Sequence, residues 1–251
     1  MNSAQPQPAI DRLGKSSLGQ THPQIASAFG GVFTRRPRWG LSWLGHLLLV
    51  IVLFGIAALV FLRAYPFLAV TDRQQTDILV VEGWLRIYGI KQAVAEFTQR
   101  GYKRAFTTGG PITGMGGYTN DYNTSASVGA GQLRAAGLSS ELVVMVPSRV
   151  SARDRTYASA IALRDWFAEN GLHPLRINVA TEGPHARRTQ LLFQRAFGSE
   201  VRVGVVPIQN PDYDPKRWWR YSEGVRDVLG EGLAYIYAKL FFHPDEEVSR
   251  A

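Results

Sequence analysis

The 251-residue chain contains no cysteine, which excludes disulfides, thiolate nucleophiles and zinc-thiolate sites together. Charge is also sparse. Charged residues make up 19%, and acidic side chains are the scarcer kind, 20 Asp and Glu against 28 Lys and Arg, for a formal net charge of +8. The five histidines show no spacing that makes a ligand set, so no metal is assigned. No internal sequence period accompanies the secondary-structure rhythm, which excludes a repeat protein. What the chain has in quantity is apolar surface. A hydrophobic content of 45% with 11% aromatics suffices for an ordinary core and excludes wholesale disorder.

The positive charge is unevenly placed. Residues 1–63 carry six Lys and Arg (Arg12, Lys15, Arg35, Arg36, Arg38 and Arg63) against Asp11 alone, whereas the remainder carries 22 against 19 acidic residues. A nucleic-acid surface would concentrate charge on the folded part; here it flanks an apolar run, which argues for a membrane and against nucleic acid. That run, Leu41 to Leu62, has no Asp, Glu, Lys or Arg over 22 residues and as a helix reaches roughly 33 Å, the thickness of a hydrocarbon core. A buried globular helix of this composition would have no face for water. A cleaved signal peptide would need an n-region of about 40 residues and a small-residue cleavage pattern not evident at Arg63 to Val70. The sequence therefore predicts an uncleaved anchor over 41–63, with Arg35, Arg36 and Arg38 keeping the N-terminus cytoplasmic and the following domain outside the inner membrane. His46 falls near one end of the span, within reach of the interface. Residues 1–40, rich in Gln, Pro, Ser and Gly, read as a flexible cytoplasmic tail. Gly14-Lys15-Ser16 lacks the earlier glycine and the strand that a P-loop needs.

After a linker over 64–76, short β-branched runs alternate with helical periods across 77–242, the signature of an α/β domain with a parallel sheet covered by helices. Strands are predicted over 77–81, 104–108, 142–146, 175–180 and 201–207. Helices are predicted over 87–100, 124–136, 154–170, 184–197 and 216–242, and residues 243–251 form a flexible C-terminal tail. Gly101, Gly137, Gly171 and Gly198 each follow a helix, as left-handed C-caps do.

Ligands of open parallel sheets bind beyond the carboxyl ends of the strands, and those positions hold reactive residues here. Glu82 ends the first strand, where burial would raise its pKa for general acid–base work, or it caps the next helix. Gly83 would let backbone approach a ligand and Trp84 would offer a stacking face. Gly109 and Gly110, continuing to Gly114, Gly116 and Gly117, would present backbone N–H groups to an anion or form a simple connection. Asp154 is an expected N-cap, with Arg155 adding charge to the anion site or lying exposed. His185, as a neutral imidazole, would transfer a proton while Arg188, three residues on, holds a phosphate or carboxylate; the alternative is a helix cap. Arg187 is left to solvent. His173 and His243 join no cluster. The aromatics of the last helix read as packing, Glu223 as a residue able to close the pocket, and Gly232 to Phe242 as too short to span a bilayer but able to rest against one.

With DILVVEGW in the first strand, Thr107 to Gly110 after the second, Arg155-Thr156 opening a helix and His185-x-x-Arg188, the stretch Asp77 to Leu240 resembles the SanA/ElyC/YdcF-like family of bacterial cell-envelope proteins. It departs from that family at Glu82-Gly83-Trp84, where relatives have a Gly-rich turn, and at Tyr122-Asn123-Thr124, where relatives have an acidic residue; Asp121 is the candidate substitute. The resemblance implies a Rossmann-like three-layer sandwich and a role in cell-wall or surface-polysaccharide biogenesis. Together with the strand-end positions, this reading takes Glu82 and His185 as catalytic, and Gly83, Trp84, Gly109, Gly110, Arg155, Thr156 and Arg188 as ligand-binding. No cofactor is assigned: the S-adenosylmethionine of some relatives is a poor fit to a domain outside the cytoplasm. Two functions are carried: an enzyme acting on an anionic or lipid-linked saccharide intermediate, and a non-catalytic ligand-binding or scaffold protein.

Overall fold

The computed structural model describes residues 27–28, 33–35, 39–112, 123–149 and 154–244. Most of the expected cytoplasmic tail, Gly114, Gly116, Gly117, Asp121, Tyr122, and the last seven residues of the expected C-terminal tail lie outside these. The chain divides into two units, one ending at Ala58 and the other beginning at Leu59.

In the first unit three short strands, β1 (Ser27–Ala28), β2 (Phe33–Arg35) and β3 (Trp39–Leu41), pair antiparallel in that order. Helix α1 (Trp43–Leu68) follows and is long and apolar enough to cross a membrane; its 26 residues reach about 39 Å. It continues five residues past the predicted end of the span, into the expected linker. Tertiary packing holds those extra residues. Phe61 lies against Trp218 and Trp219 with ring centroids 4.6 and 5.4 Å apart, Tyr65 meets Tyr213 edge-on, and Leu68 is buried.

The second unit is built on a five-stranded parallel sheet: β4 (Ile78–Glu82), β5 (Arg104–Gly109), β6 (Val143–Pro147), β7 (Arg176–Glu182) and β8 (Arg202–Ile208). The spatial order is β6-β5-β4-β7-β8, every neighbour parallel. Strand β4 is buried at all five positions, as expected of a central strand covered on both faces and therefore written as the unbroken run ILVVE. On one face Leu79 and Val81 pack under α2 (Ile87–Arg100) and α3 (Ser125–Ala135) through Ile90, Phe97 and Leu133. On the other, Val80, Phe106 and Val179 pack under α4 (Arg155–Glu169) and α5 (Ala186–Phe197) through Ile161, Phe167 and Phe193. The result is the expected α/β three-layer arrangement. Helix α6 (Ser222–Leu240) adds Ala238 to that second layer.

Two helix predictions are corrected. The stretch 216–242 is a 3-10 turn, Pro215–Arg220, followed by α6, because Tyr221 between them is extended (φ −126, ψ 133). Similarly, Gly183–His185 forms a 3-10 turn before α5 begins at Ala186. The order also fixes where a ligand can enter. The chain builds outward from β4 through β5 to β6, then crosses back to place β7 on the other side of β4, so the connections leaving β4 and β7 diverge at their carboxyl ends and open a crevice between them.

Candidate functional site

Glu82 is the last residue of β4 and is 3% exposed. Its carboxylate accepts hydrogen bonds from Thr181 at the end of β7 and from Thr189 on α5, and its Oε2 lies 3.6 Å from His185 Nε2. His185 closes the 3-10 turn after β7, its ring held edge-on by Trp84 at 5.3 Å between centroids. Its Nδ1 lies 2.9 Å from both Glu231 Oε1 and Arg188 Nη2. Glu231, on α6, in turn accepts from Arg188 Nε at 2.8 Å and Nη2 at 3.1 Å. Four ionisable side chains from β4, the β7–α5 turn, α5 and α6 thus form one chain, buried at Glu82 and His185 and half-buried at Arg188 and Glu231.

Charge decides how its protons are held. Burial pushes the His185 imidazole down, but the adjoining carboxylates of Glu82 and Glu231 outweigh it and lift the pKa to about 9. Burial pushes Glu231 up, yet His185 and Arg188 hold it down at about 2. Glu82 shows the same balance: burial raises it, and the imidazolium, with Thr181 and Arg188, brings it below the ordinary carboxylate range. The two sequence expectations of a neutral imidazole and a raised Glu82 are therefore corrected. A protonated ring donates its Nδ1–H to Glu231, and Arg188 then serves the same carboxylate. At the other end Nε2 is buried and has no hydrogen-bond partner among the described residues, as is the case for Thr108 Oγ1. Buried polar atoms are rarely left so without a ligand or water to meet them.

Both orphan atoms belong to residues lining one cleft of about 560 Å3 at the carboxyl edge of the sheet. The same cleft is lined by Glu82, Trp84, Gly109, Gly110, Arg155, Thr156, His185 and Arg188. Of the residues given catalytic or ligand-binding roles from the sequence, Gly83 is not among those lining it. A Cβ on Gly83 would lie 2.0 Å from the Ser125 carbonyl oxygen and one on Gly129 would lie 2.5 Å from Gly83 Cα, so this glycine lets α3 press against the end of β4. Gly109 combines both roles, with φ +145 and a missing Cβ that would meet Ser125 Cβ at 2.5 Å. Asp154 takes the N-cap position of α4 but in a left-handed conformation (φ 56) and without capping by its side chain. Asp154 thus leaves the first-turn N–H groups of α4 uncapped by its own side chain, next to exposed Arg155, which forms no ion pair among the described residues.

Three further expectations change. Arg187 is not left to solvent: its Nε donates to the Phe67 carbonyl and its guanidinium sits 4.0 Å over the Phe67 ring. Glu223 bonds Ser222 at the start of α6 and does not line the cleft, while Glu231 from the same helix does. His185 makes no capping hydrogen bond at the start of α5. Sequence reasoning missed Glu231, Thr108 and Tyr237, which all line the cleft. The available signal for Glu231 was a lone carboxylate between Gly230 and Gly232 in an otherwise apolar stretch. Among the described residues no group of three His, Asp or Glu side chains is arranged to hold a metal ion.

Comparison with protein-family models and with curated proteins gives no match to this chain. What the site provides is a His185 ring that lines a polar cleft, with the Glu82 carboxylate 3.6 Å from its buried Nε2, a second carboxylate fixing its other nitrogen, and the Arg155 guanidinium, without an ion pair among the described residues, on the same cleft. That set can bind an anion and can deliver a proton to an oxygen leaving it.

Proposed function

We propose that the chain is a membrane-anchored cell-envelope protein, with its N-terminus cytoplasmic and its α/β domain outside the inner membrane. In this reading the domain is an enzyme acting on an anionic or lipid-linked intermediate of cell-wall or surface-polysaccharide synthesis. The observation that carries the reading is the buried Nε2 of His185, 3.6 Å from Glu82 Oε2 but without a hydrogen-bond partner among the described residues, on a residue that lines a cleft at the strand-order reversal. Arg155 and the open first turn of α4 receive the anion. His185 donates its Nε2 proton to the departing oxygen as the bond to that oxygen breaks, water forms the new bond and its released proton returns the imidazole to the charged form, and Glu82 stabilises the imidazolium. Glu231 and Arg188 position the ring, so Arg188 serves the site as a positioning residue in place of the direct anion contact expected from sequence.

The resemblance to SanA/ElyC/YdcF-like proteins supports the envelope role, and the membrane-length helix supports the anchor. The test is turnover. Full-length protein in detergent is incubated with lipid-linked and nucleotide-linked sugars, and the products are read by mass spectrometry beside the His185→Gln variant. A new product with the parent and none with the variant is expected. Saturable binding without turnover would favour the scaffold reading, in which a permanently charged imidazolium serves as an anion contact.

A further inference from the structure

Helix α6 leaves one apolar face uncovered. Leu229, Leu233, Ile236, Tyr237, Leu240 and Phe241 recur at helical spacing and are between 51% and 71% exposed. Scattered surface leucines need no explanation, but a continuous stripe of this kind marks a contact with something apolar. Its surroundings say what. On one side of the stripe, Gly232 and Tyr235 pack under the last residues of α1: Leu68 Cδ1 comes within 4.0 Å of where a Cβ on Gly232 would stand, and the Phe67 and Tyr235 rings are 5.5 Å apart. On the other side Ala234, Tyr237 and Ala238 line the cleft that holds His185. The stripe thus runs between the end of the membrane-length helix and the mouth of the site.

Its N-terminal approach has the composition of a membrane interface. The turn Pro215–Arg220 exposes Lys216, Arg217 and Arg220, none in an ion pair among the described residues, next to half-exposed Trp219 and Tyr221. Interfacial helices combine such an apolar face with basic residues that meet anionic headgroups and aromatic rings that sit at headgroup level. A second copy docked on this face about a two-fold axis parallel to α6 would bring its own Lys216, Arg217 and Arg220 to the same region, where like charges repel.

We infer that α6 is an interfacial membrane element: its stripe lies in the headgroup and upper acyl layer of the bilayer that α1 enters. This holds the mouth of the cleft at the membrane surface. A lipid-linked anion then reaches the site with its charged group toward His185 and Arg155 and its chain along α6, without leaving the bilayer. The inference rests on the membrane-anchored reading given above and adds the route of entry and the lipid-linked class of substrate.

The absence of cysteine lets nitroxide labels be placed singly on the full chain. Leu53→Cys reports on the middle of α1, Leu233→Cys and Leu240→Cys on the stripe, and Leu175→Cys on an exposed site at the amino end of β7. In vesicles of phosphatidylethanolamine and phosphatidylglycerol, labels at Leu233→Cys and Leu240→Cys are expected to collide with a water-soluble nickel chelate several-fold less often than the label at Leu175→Cys. Their depth should be about 5–10 Å into the headgroup and acyl boundary. Chelate access equal to that at Leu175→Cys, with Leu53→Cys still in lipid, would overturn the interfacial placement and leave the anchor standing. Free chelate access at Leu53→Cys would overturn the anchor and this inference together. Efficient oxidative cross-linking of Leu233→Cys between two chains would give the stripe to a second copy and also overturn it.

Discussion

His185 keeps its proton because two carboxylates reach it from elements that are far apart in sequence, and each can be removed singly. Glu231→Gln keeps the shape of the side chain but not the charge, so the imidazole pKa is expected to fall from about 9 toward its ordinary 6.5, read by ring-nitrogen NMR. An unchanged titration would show that Glu231 does not set the proton on Nδ1. The same shifts predict how stability depends on pH. The raised His185 contributes stability that is fully present below 6.5 and is lost as pH rises through about 9. The lowered Glu231 contributes stability present above 4.5 and lost as pH falls through about 2. Thermal melts should therefore form a plateau near pH 4.5–6.5 and decline on both sides; in His185→Gln the alkaline decline should largely vanish. His185→Ala and Arg188→Ala should abolish function. Sequence position alone suggests they would scarcely affect folding, but His185→Ala leaves the buried Glu82 carboxylate without its imidazolium, typically a loss of about 3–5 kcal/mol, while Arg188→Ala leaves Glu231 its bond to His185 and should cost less, about 1.5–3 kcal/mol. Arg187→Ala should lower stability by about 1–2 kcal/mol through its lost contact with Phe67, and leave turnover intact. Equal damage to turnover from Arg187→Ala would place it in the site after all.

At the level of elements, glycines divide into those the packing requires and those it tolerates. Gly83→Ala would drive a methyl group into the Ser125 carbonyl at 2.0 Å, where backbone lies on both sides and cannot give; a large loss of melting temperature is expected. Gly131→Ala, in α3 with nothing within 4 Å, should stabilise by up to about 1 kcal/mol from helix propensity alone. Differential scanning calorimetry of the two variants tests whether α3 sits on the end of β4 as described; a harmless Gly83→Ala would move it away. The sheet was legible because its buried parallel strands are written as apolar runs: all five strands fall within two residues of their predicted limits. Gly101, Gly137, Gly171 and Gly198 marked the ends of helices, and all four have positive φ. What could not be read was set by contacts across the chain. Residues 64–68 stay helical because Tyr65 and Leu68 find partners on distant segments. The break at Tyr221 reflects Gly224 lying close under the Trp218 backbone. In the site, strand-end position revealed Glu82, Gly109 and His185. It revealed neither Glu231, which reaches His185 from α6, nor the direction of the pKa shifts, which depends on the contacts among Glu82, His185, Arg188 and Glu231.

For the whole molecule, the proposed sidedness rests on where the guanidinium groups lie. Arg35, Arg36 and Arg38 precede the span closely, while Arg63 alone follows it closely. Lys and Arg near the ends of a first span set its orientation, and acidic residues count for little, so the near-balanced charge of the 77–242 domain does not compete. Protease added to spheroplasts of a bacterial host is accordingly expected to digest the 77–242 domain and spare a fragment containing residues 1–40 and α1. Protection of the domain with loss of the tail would reverse the assignment. The stronger form of the prediction removes the cause: Arg35→Ser, Arg36→Ser and Arg38→Ser together leave Arg63 as the nearest charge on either side. A mixed population should then appear, part of it with the domain protected. Because the cleft lies in the second unit, inverted molecules should still fold but sit on the wrong face for an external lipid-linked substrate, so complementation should fall in proportion to the inverted fraction. Full complementation by a largely inverted population would mean that the cleft works from the cytoplasmic side.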